Sequence, residues 1–207
     1  TIASALGRGR SGSIMLAAHI DQIGLMVNAI EEGGFLRCVA VGGIDPRVLV
    51  GTEVTILAKE PLSGIVGSKP PHLQSGDEAS KAEALPDLFV DTGLNEKKVR
   101  SLVTIGDYIT FKGKMRELKN EVCAAPAMDN RASILVVVET LKVLKKMRHA
   151  WDVYAVGTVQ EEVGTRGAMV STYGLQPTVG VAIDVTFADF PGCDSRSTNA
   201  IDRKSVV

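Results

Sequence analysis

Three short apolar runs in this chain each stop at residues that can bind a proton or a metal ion, and this recurrence narrows its possible folds more than any other feature. Residues 14–18 run into His19, with Asp21 two positions on. Residues 153–159 run into Glu161 and Glu162, and residues 179–183 run into Asp184. Apolar runs this short, bounded by Gly, Ser and polar residues, read as strands covered on both faces, which are found in parallel sheets. Between them the period is helical. Ile134, Val137, Val138, Leu141 and Leu144 recur over 131–147, and Lys142, Lys145, Lys146 and Arg148 crowd the C-terminal end, where the helix dipole favours cations. A shorter helix is expected over 165–173. Strand–helix alternation predicts an α/β fold, a mostly parallel sheet with flanking helices.

From residue 25 to 114 the texture changes. Short β-rich pieces (34–41, 48–58, 63–66, 88–91 and 108–111) alternate with turn signals at Gly42-Gly43, Asp45-Pro46 and Pro70-Pro71. A short helix is expected over 96–102 with Asn95 as its N-cap. The expected organisation is an α/β domain (1–24 and 115–207) interrupted by a small β-barrel or sandwich (25–114). The α/β part holds few strands for its class, so the chain reads as incomplete at both ends.

Composition removes several functional classes. A net charge of -1 across 207 residues provides no field for nucleic acid or an anionic membrane, and 4% aromatic residues provide no base-stacking surface. The apolar runs are too short to span a bilayer, and no signal peptide opens the chain. Cys38, Cys123 and Cys193 are odd in number and lack C-x-x-C spacing. They fit neither a disulfide framework nor a thiolate zinc site, and read as small buried hydrophobes in a reducing cytoplasm.

Singly, each polar strand end has a bland explanation. His19 and Asp21 would make a satisfied pair, in which a carboxylate fixes the imidazole tautomer. Asp129 and Asn130 precede the long helix and are natural N-caps. Glu161 and Glu162 would be a solvated loop pair, pointing to opposite sides if the chain stays extended. Together they gain weight, because open α/β sheets gather ligands at the C-terminal ends of their strands. Five carboxylates and an imidazole along one edge are hard to hold without cations. Mixed nitrogen and oxygen donors suit zinc, cobalt or manganese. Other motifs lack context. The G-x-G-x-x-G of residues 7–12 precedes a strand, no G-x-S-x-G, P-loop or H-E-x-x-H occurs, and His72 and His149 read as structural or solvated.

AHIDQIG (18–24), MDNRA (128–132), QEEVGTRGA (160–168) and AIDVT (182–186), in this order around a β-rich insertion containing KPPH and DLFVDTG, resemble one family. It is the glutamyl aminopeptidase, deblocking (TET) aminopeptidase and "cellulase M" family of dinuclear metallo-aminopeptidases. The resemblance runs from Ile14 to about Gly192. It implies a hydrolase acting on the N-termini of peptides with two divalent ions, zinc or cobalt. His19, Asp129 and Asp184 would hold the first ion, and Asp129 and Glu162 the second. Glu161 would be the general base, and Asp21 would orient His19. The insertion would serve dimerisation, and dimers would build larger assemblies such as a dodecamer. The family's further His ligand has no counterpart among the three His residues here, so the second metal site reads as half-built and the activity of this short chain as impaired. Two other expectations stand beside this one: a non-catalytic oligomerising remnant, and an endo-1,4-β-glucanase, which would need two carboxyls about 5 to 10 Å apart across a sugar.

Overall fold

The computed structural model describes residues 2–5, 7, 12–73 and 83–187. Strands β1 (Ile2–Ala5) and β2 (Ser13–His19) come first. Six more follow: β3 (Gly24–Ile30), β4 (Leu36–Val41), β5 (Glu53–Leu57), β6 (Pro61–Gly67), β7 (Phe89–Asp91) and β8 (Tyr108–Phe111), with helix α1 (Glu96–Leu102) between the last two. The chain continues through β9 (Arg116–Glu117), β10 (Cys123–Ala124), helix α2 (Met128–Leu144), β11 (Asp152–Thr158), helix α3 (Arg166–Leu175) and β12 (Val179–Ala182). These elements fall into two units, residues 1–22 with 115–207, and residues 23–114. No helix among the described residues is long and apolar enough to cross a membrane.

The first unit is an α/β layer structure around a sheet of order β1-β11-β2-β12. Strand β2 is parallel to both neighbours, with Thr158 opposite His19 and Ala182 opposite Ala17. Helices cover both faces. Val137 and Leu141 of α2 pack with Ala18, Val153 and Ala155, while Leu175 of α3 lies against Met15, Ala17 and Val156 on the other side. Small residues on β2 let these layers approach closely. Strand β1 adds antiparallel to β11 at the edge. Only Ala5 of its four residues is buried, so it leaves no apolar run in the sequence.

Helix α2 departs from the expected capping. The N-cap position is Ala127, at φ 59° and without a capping side chain, and Asp129 and Asn130 have non-helical dihedrals. Their shared peptide bond is cis. Regular helix begins only after them, because both side chains are engaged at the sheet edge, with His19 and with the Ile183 carbonyl.

The second unit is a closed barrel of order β3-β4-β7-β6-β5-β8. Alternate residues face inward: Leu25 and Val27, Leu36 and Cys38, Val54 and Ile56, Val66, Val90 and Ile109, joined by Val99 of α1. Helix α1 is capped by Asn95, whose Oδ1 accepts the Lys98 N–H at 3.0 Å. The piece expected as strand from residue 48 begins instead at Glu53. Pro46 fixes φ, the Asp45 side chain accepts the Arg47 N–H, and Gly51 turns at φ 81°, so Pro46–Val48 forms a short 3-10 turn. Of the cysteines, Cys38 is buried, and burial pushes its thiol up to about 12. Cys123 is exposed on the two-residue strand β10, against the expectation of burial, and Cys193 lies outside the described residues.

The barrel core carries a direct stability test. Ile56 is fully buried, whereas its neighbour Leu57 is 48% exposed. Ile56→Ala should lower the unfolding free energy by about 2–5 kcal/mol, and Leu57→Ala should change it by roughly 0.5 kcal/mol or less, in urea titrations of each variant.

Candidate metal centre

The parallel register places the ends of β2, β11 and β12 along one edge of the sheet. His19 closes β2 and is almost fully buried (3% exposed). Glu161 and Glu162 follow β11 after two linking residues. Asp184 follows β12, whose course past Ala182 is kept by the Ile183 N–H donating to the Ala17 carbonyl at 2.8 Å. Asp129 comes from the start of α2.

The structure brings the other five of these side chains, those of Asp21, Asp129, Glu161, Glu162 and Asp184, around the His19 ring. Nε2 lies 3.0 Å from Asp129 Oδ1, 3.8 Å from Glu161 Oε2 and 4.0 Å from Asp184 Oδ1. Oxygens of Asp129 and Asp184 cluster with a ring nitrogen of His19 within 4.8 Å of one another, and so do oxygens of Glu161 and Glu162. The other ring nitrogen, Nδ1, is 3.1 Å from the main-chain carbonyl of Asp21, and the Asp21 carboxylate stands at 3.5 Å. The orienting contact therefore comes from the carbonyl rather than from the carboxylate that the sequence spacing favoured.

Glu161 and Glu162 do not point to opposite sides. Gln160 takes a left-handed φ of 58°, and the Glu161 carbonyl accepts the N–H groups of Gly164 and Thr165 at 2.9 and 3.0 Å. The chain is a tight turn here, and both carboxylates reach toward His19. Gly167 closes the turn. Its N–H donates to the Val159 carbonyl at 2.9 Å, and a Cβ at this position would overlap the Val159 backbone.

Asn130 is a site residue that its reading as a helix cap concealed. It is fully buried, and its Nδ2 donates to the Ile183 carbonyl at 2.9 Å, tying the start of α2 to the residue before Asp184. Only the side-by-side placement of β12 and α2 exposes this role. His149 Nδ1 donates to the Trp151 carbonyl at 2.8 Å, at the opposite end of β11, and His72 is exposed in the second unit.

The hydrogen bonding tests the fit of a cation. A carbonyl only accepts, so the Asp21 contact puts hydrogen on Nδ1. Nε2 of the neutral ring is then a lone pair facing the Asp129 carboxylate. Two acceptors 3.0 Å apart repel unless a proton or a metal ion lies between the groups. Without a metal ion, a proton there would serve. Burial works against the charged ring, but the Asp21 carbonyl and the carboxylates of Glu161, Asp184 and Asp129 outweigh it and raise the His19 pKa above 6.5. The Glu162 carboxyl is raised above 4.5 by burial and then by the charge of Asp129, against a lowering by His19, with smaller pushes from Glu161 and Asp21. One imidazole nitrogen with several carboxylate oxygens suits a hard or borderline divalent ion.

The family model for M42 glutamyl aminopeptidases matches residues 1–203, and the chain belongs to this family. A lysyl aminopeptidase of Pyrococcus furiosus is 35% identical over 189 residues, which cover 89% of this chain and 54% of the relative. A TET1 peptidase of Pyrococcus horikoshii, described as able to assemble into a tetrahedron or a large octahedral shell, superposes with a TM-score of 0.82 at 33% identity, covering 92% of this chain and 57% of that one. A Thermotoga maritima protein described as an endoglucanase gives a TM-score of 0.71 at 31% identity, covering 98% and 56%. The chain thus spans about half the length of the relatives it matches.

The raised pKa values fix a sign. The stabilisation from the His19 proton is complete below 6.5 and fades as pH climbs through the raised value, and that from the Glu162 proton fades likewise from 4.5 upward. A cation on the same atoms replaces the proton and does not fade. The increase in Tm on adding zinc should therefore widen as pH rises from about 5.5 to 8. A flat or shrinking increase over that interval would remove His19 and Glu162 from the ligand set.

Proposed function

We propose that this chain carries the catalytic residues of a metal-dependent aminopeptidase that removes N-terminal residues from peptides. The observation that carries the reading is the buried His19, whose Nε2 faces Asp129, Glu161 and Asp184 within 4.0 Å at the aligned ends of parallel strands. Membership of the M42 family supports the reaction class. In this proposal His19, Asp129 and Asp184 hold one divalent ion, zinc or cobalt, and Glu162 with Asp129 holds a second. Ions bound there would acidify water and draw charge from the peptide carbonyl. The remaining work falls to the chain. Glu161, one-third exposed and 3.8 Å from Nε2, takes the proton of the attacking water on its carboxylate and returns it to the departing amine. The Nδ1 contact with the Asp21 carbonyl keeps the His19 lone pair aimed at the site.

Glu161→Gln keeps the shape and removes the basicity. Metal content should stay the same, at about one firmly held ion per chain, because the second position is left with Asp129 and Glu162 alone, too few ligands to hold an ion firmly. Turnover of aminoacyl anilides should fall by about 10²- to 10⁴-fold. Full turnover in that variant would move the base elsewhere. Release of sugar from soluble cellulose, with no anilide hydrolysis by the unsubstituted protein, would favour the endoglucanase reading, and neither activity with the ligand set intact would favour a non-catalytic remnant.

We also propose that copies of the chain associate through the barrel unit, in the cytoplasm. Exposed apolar side chains on that unit, among them Val48 (71%), Ile105 (64%) and Tyr108 (54%), support this, as does the assembly described for the P. horikoshii relative. Sedimentation should find dimers or larger species that Val48→Glu weakens by about tenfold or more in dissociation constant. A monomer at all concentrations would reject this interface.

A further inference from the structure

We propose that Asp21 is a positioning residue that works through two separate groups: its main-chain carbonyl sets the His19 ring, and its carboxylate holds the Glu161–Glu162 backbone in the turn that aims both acids at the site. The inference rests on the proposed roles of Glu161 and Glu162 as base and ligand, and assigns them a support that those roles do not themselves contain.

The carboxylate meets the turn at two consecutive amides. Oδ1 accepts the Glu161 N–H at 3.2 Å, and Oδ2 accepts the Glu162 N–H at 3.3 Å. Bonds from N–H groups to an ionised acceptor are the stronger kind, and two from adjacent residues fix the direction of the chain as well as its place. The turn needs such a hold. Gln160, with its left-handed φ, is a non-glycine in a conformation that side chains disfavour. The carbonyls of Val159, Gln160 and Glu161 are bonded within the turn, to Gly167, Arg166, and Gly164 with Thr165. The N–H groups of Glu161 and Glu162 have no such internal acceptor and reach out to Asp21. Without that carboxylate the turn would be tied at its carbonyls and loose at the two residues that bear the acids.

Charge alone would not favour an acid here. A third carboxylate beside Glu161 and Glu162 adds to the repulsion around Glu162, so the benefit to the pair lies in the backbone bonds. The hydrogen bond of His19 Nδ1, at 3.1 Å, is to the Asp21 carbonyl, which any residue at position 21 supplies, and the carboxylate stands farther off at 3.5 Å.

The test is Asp21→Asn in the full chain without metal. The amide keeps the size and the main-chain carbonyl, but one of its two terminal atoms becomes a donor facing an N–H. Hydrogen exchange at the Glu161 and Glu162 amides should accelerate by about tenfold or more, while amides of β2 and β11 keep their rates. Nitrogen NMR of His19 at alkaline pH should show the same Nδ1–H tautomer in both proteins. Unchanged exchange at both amides, or a change of His19 tautomer in the variant, would overturn the assignment. If the variant does not fold, the unsubstituted protein decides. Exchange at Glu161 and Glu162 slower than at Val163, whose N–H has no partner among the described residues, supports the proposal, and equal rates overturn it. These readouts do not depend on turnover, so the base role of Glu161 and the positioning role of Asp21 fail separately.

Discussion

The register of three parallel strands is the constraint on which the centre depends. With Thr158 opposite His19 and Ala182 opposite Ala17, β11, β2 and β12 end within two residues of a common level, and the segments leaving the three strands meet one another there. Side chains alternate between faces, so a slip of one residue in β2 would turn His19 to the opposite face of the sheet. Burial on both faces prevents that slip. Met15 and Ala17 pack under α3, Ala18 packs under α2, and exchanging these sets would put the wrong volumes on both sides.

Crowding acids around a buried ring is unfavourable unless the surroundings leave them no alternative. Three of the non-glycine residues with left-handed φ flank the acid-bearing segments: Ala127 before Asp129, Gln160 before Glu161, and Thr165 where the turn closes onto α3. Such conformations persist where tertiary contacts over-determine the backbone. Here the contacts can be named. Asn130 ties α2 to Ile183, Gly167 ties the turn to Val159, and Asp21 accepts the two N–H groups the turn cannot satisfy by itself. The acids thus sit on short excursions from rigid elements, each anchored by a bond to a different element.

The features legible in the sequence are the local ones. An apolar run and the polar residue that ends it are neighbours in the chain, so the strand ends and their acids stand out from the order of residues alone. The same holds for the Asn95 cap of α1 and for the short β-rich pieces of the barrel between their turn signals. The illegible parts depend on distant partners or on a single dihedral. Nothing near Gln160 announces a left-handed φ, and that one angle decides whether Glu161 and Glu162 diverge or converge. Asp129 and Asn130 have the composition of a helix cap, but the demands of His19 and Ile183 outweigh local capping. Strand β1 escapes because an edge strand with one buried residue has no period to detect. For Asp21, spacing places the right residue beside His19 but cannot distinguish its carbonyl from its carboxylate.

The gradient of burial across the centre shows how these parts cooperate. The His19 side chain is 2% exposed, Asp21 24% and Glu161 33%, while Asp184 and Asp129 are 52% and 62% exposed. The ring is held by the sheet below and by a carbonyl beside it, so it is the fixed point of the site. The acids become freer toward solvent, where their charges are better hydrated and repel one another less. An ion arriving from that side would meet the more exposed carboxylates first and the buried nitrogen last. Loss of such an ion would return a proton to the His19 Nε2–Asp129 contact rather than leave a bare lone pair against a carboxylate. The fold therefore remains compatible with both states, because the group that cannot move is the one whose charge can change.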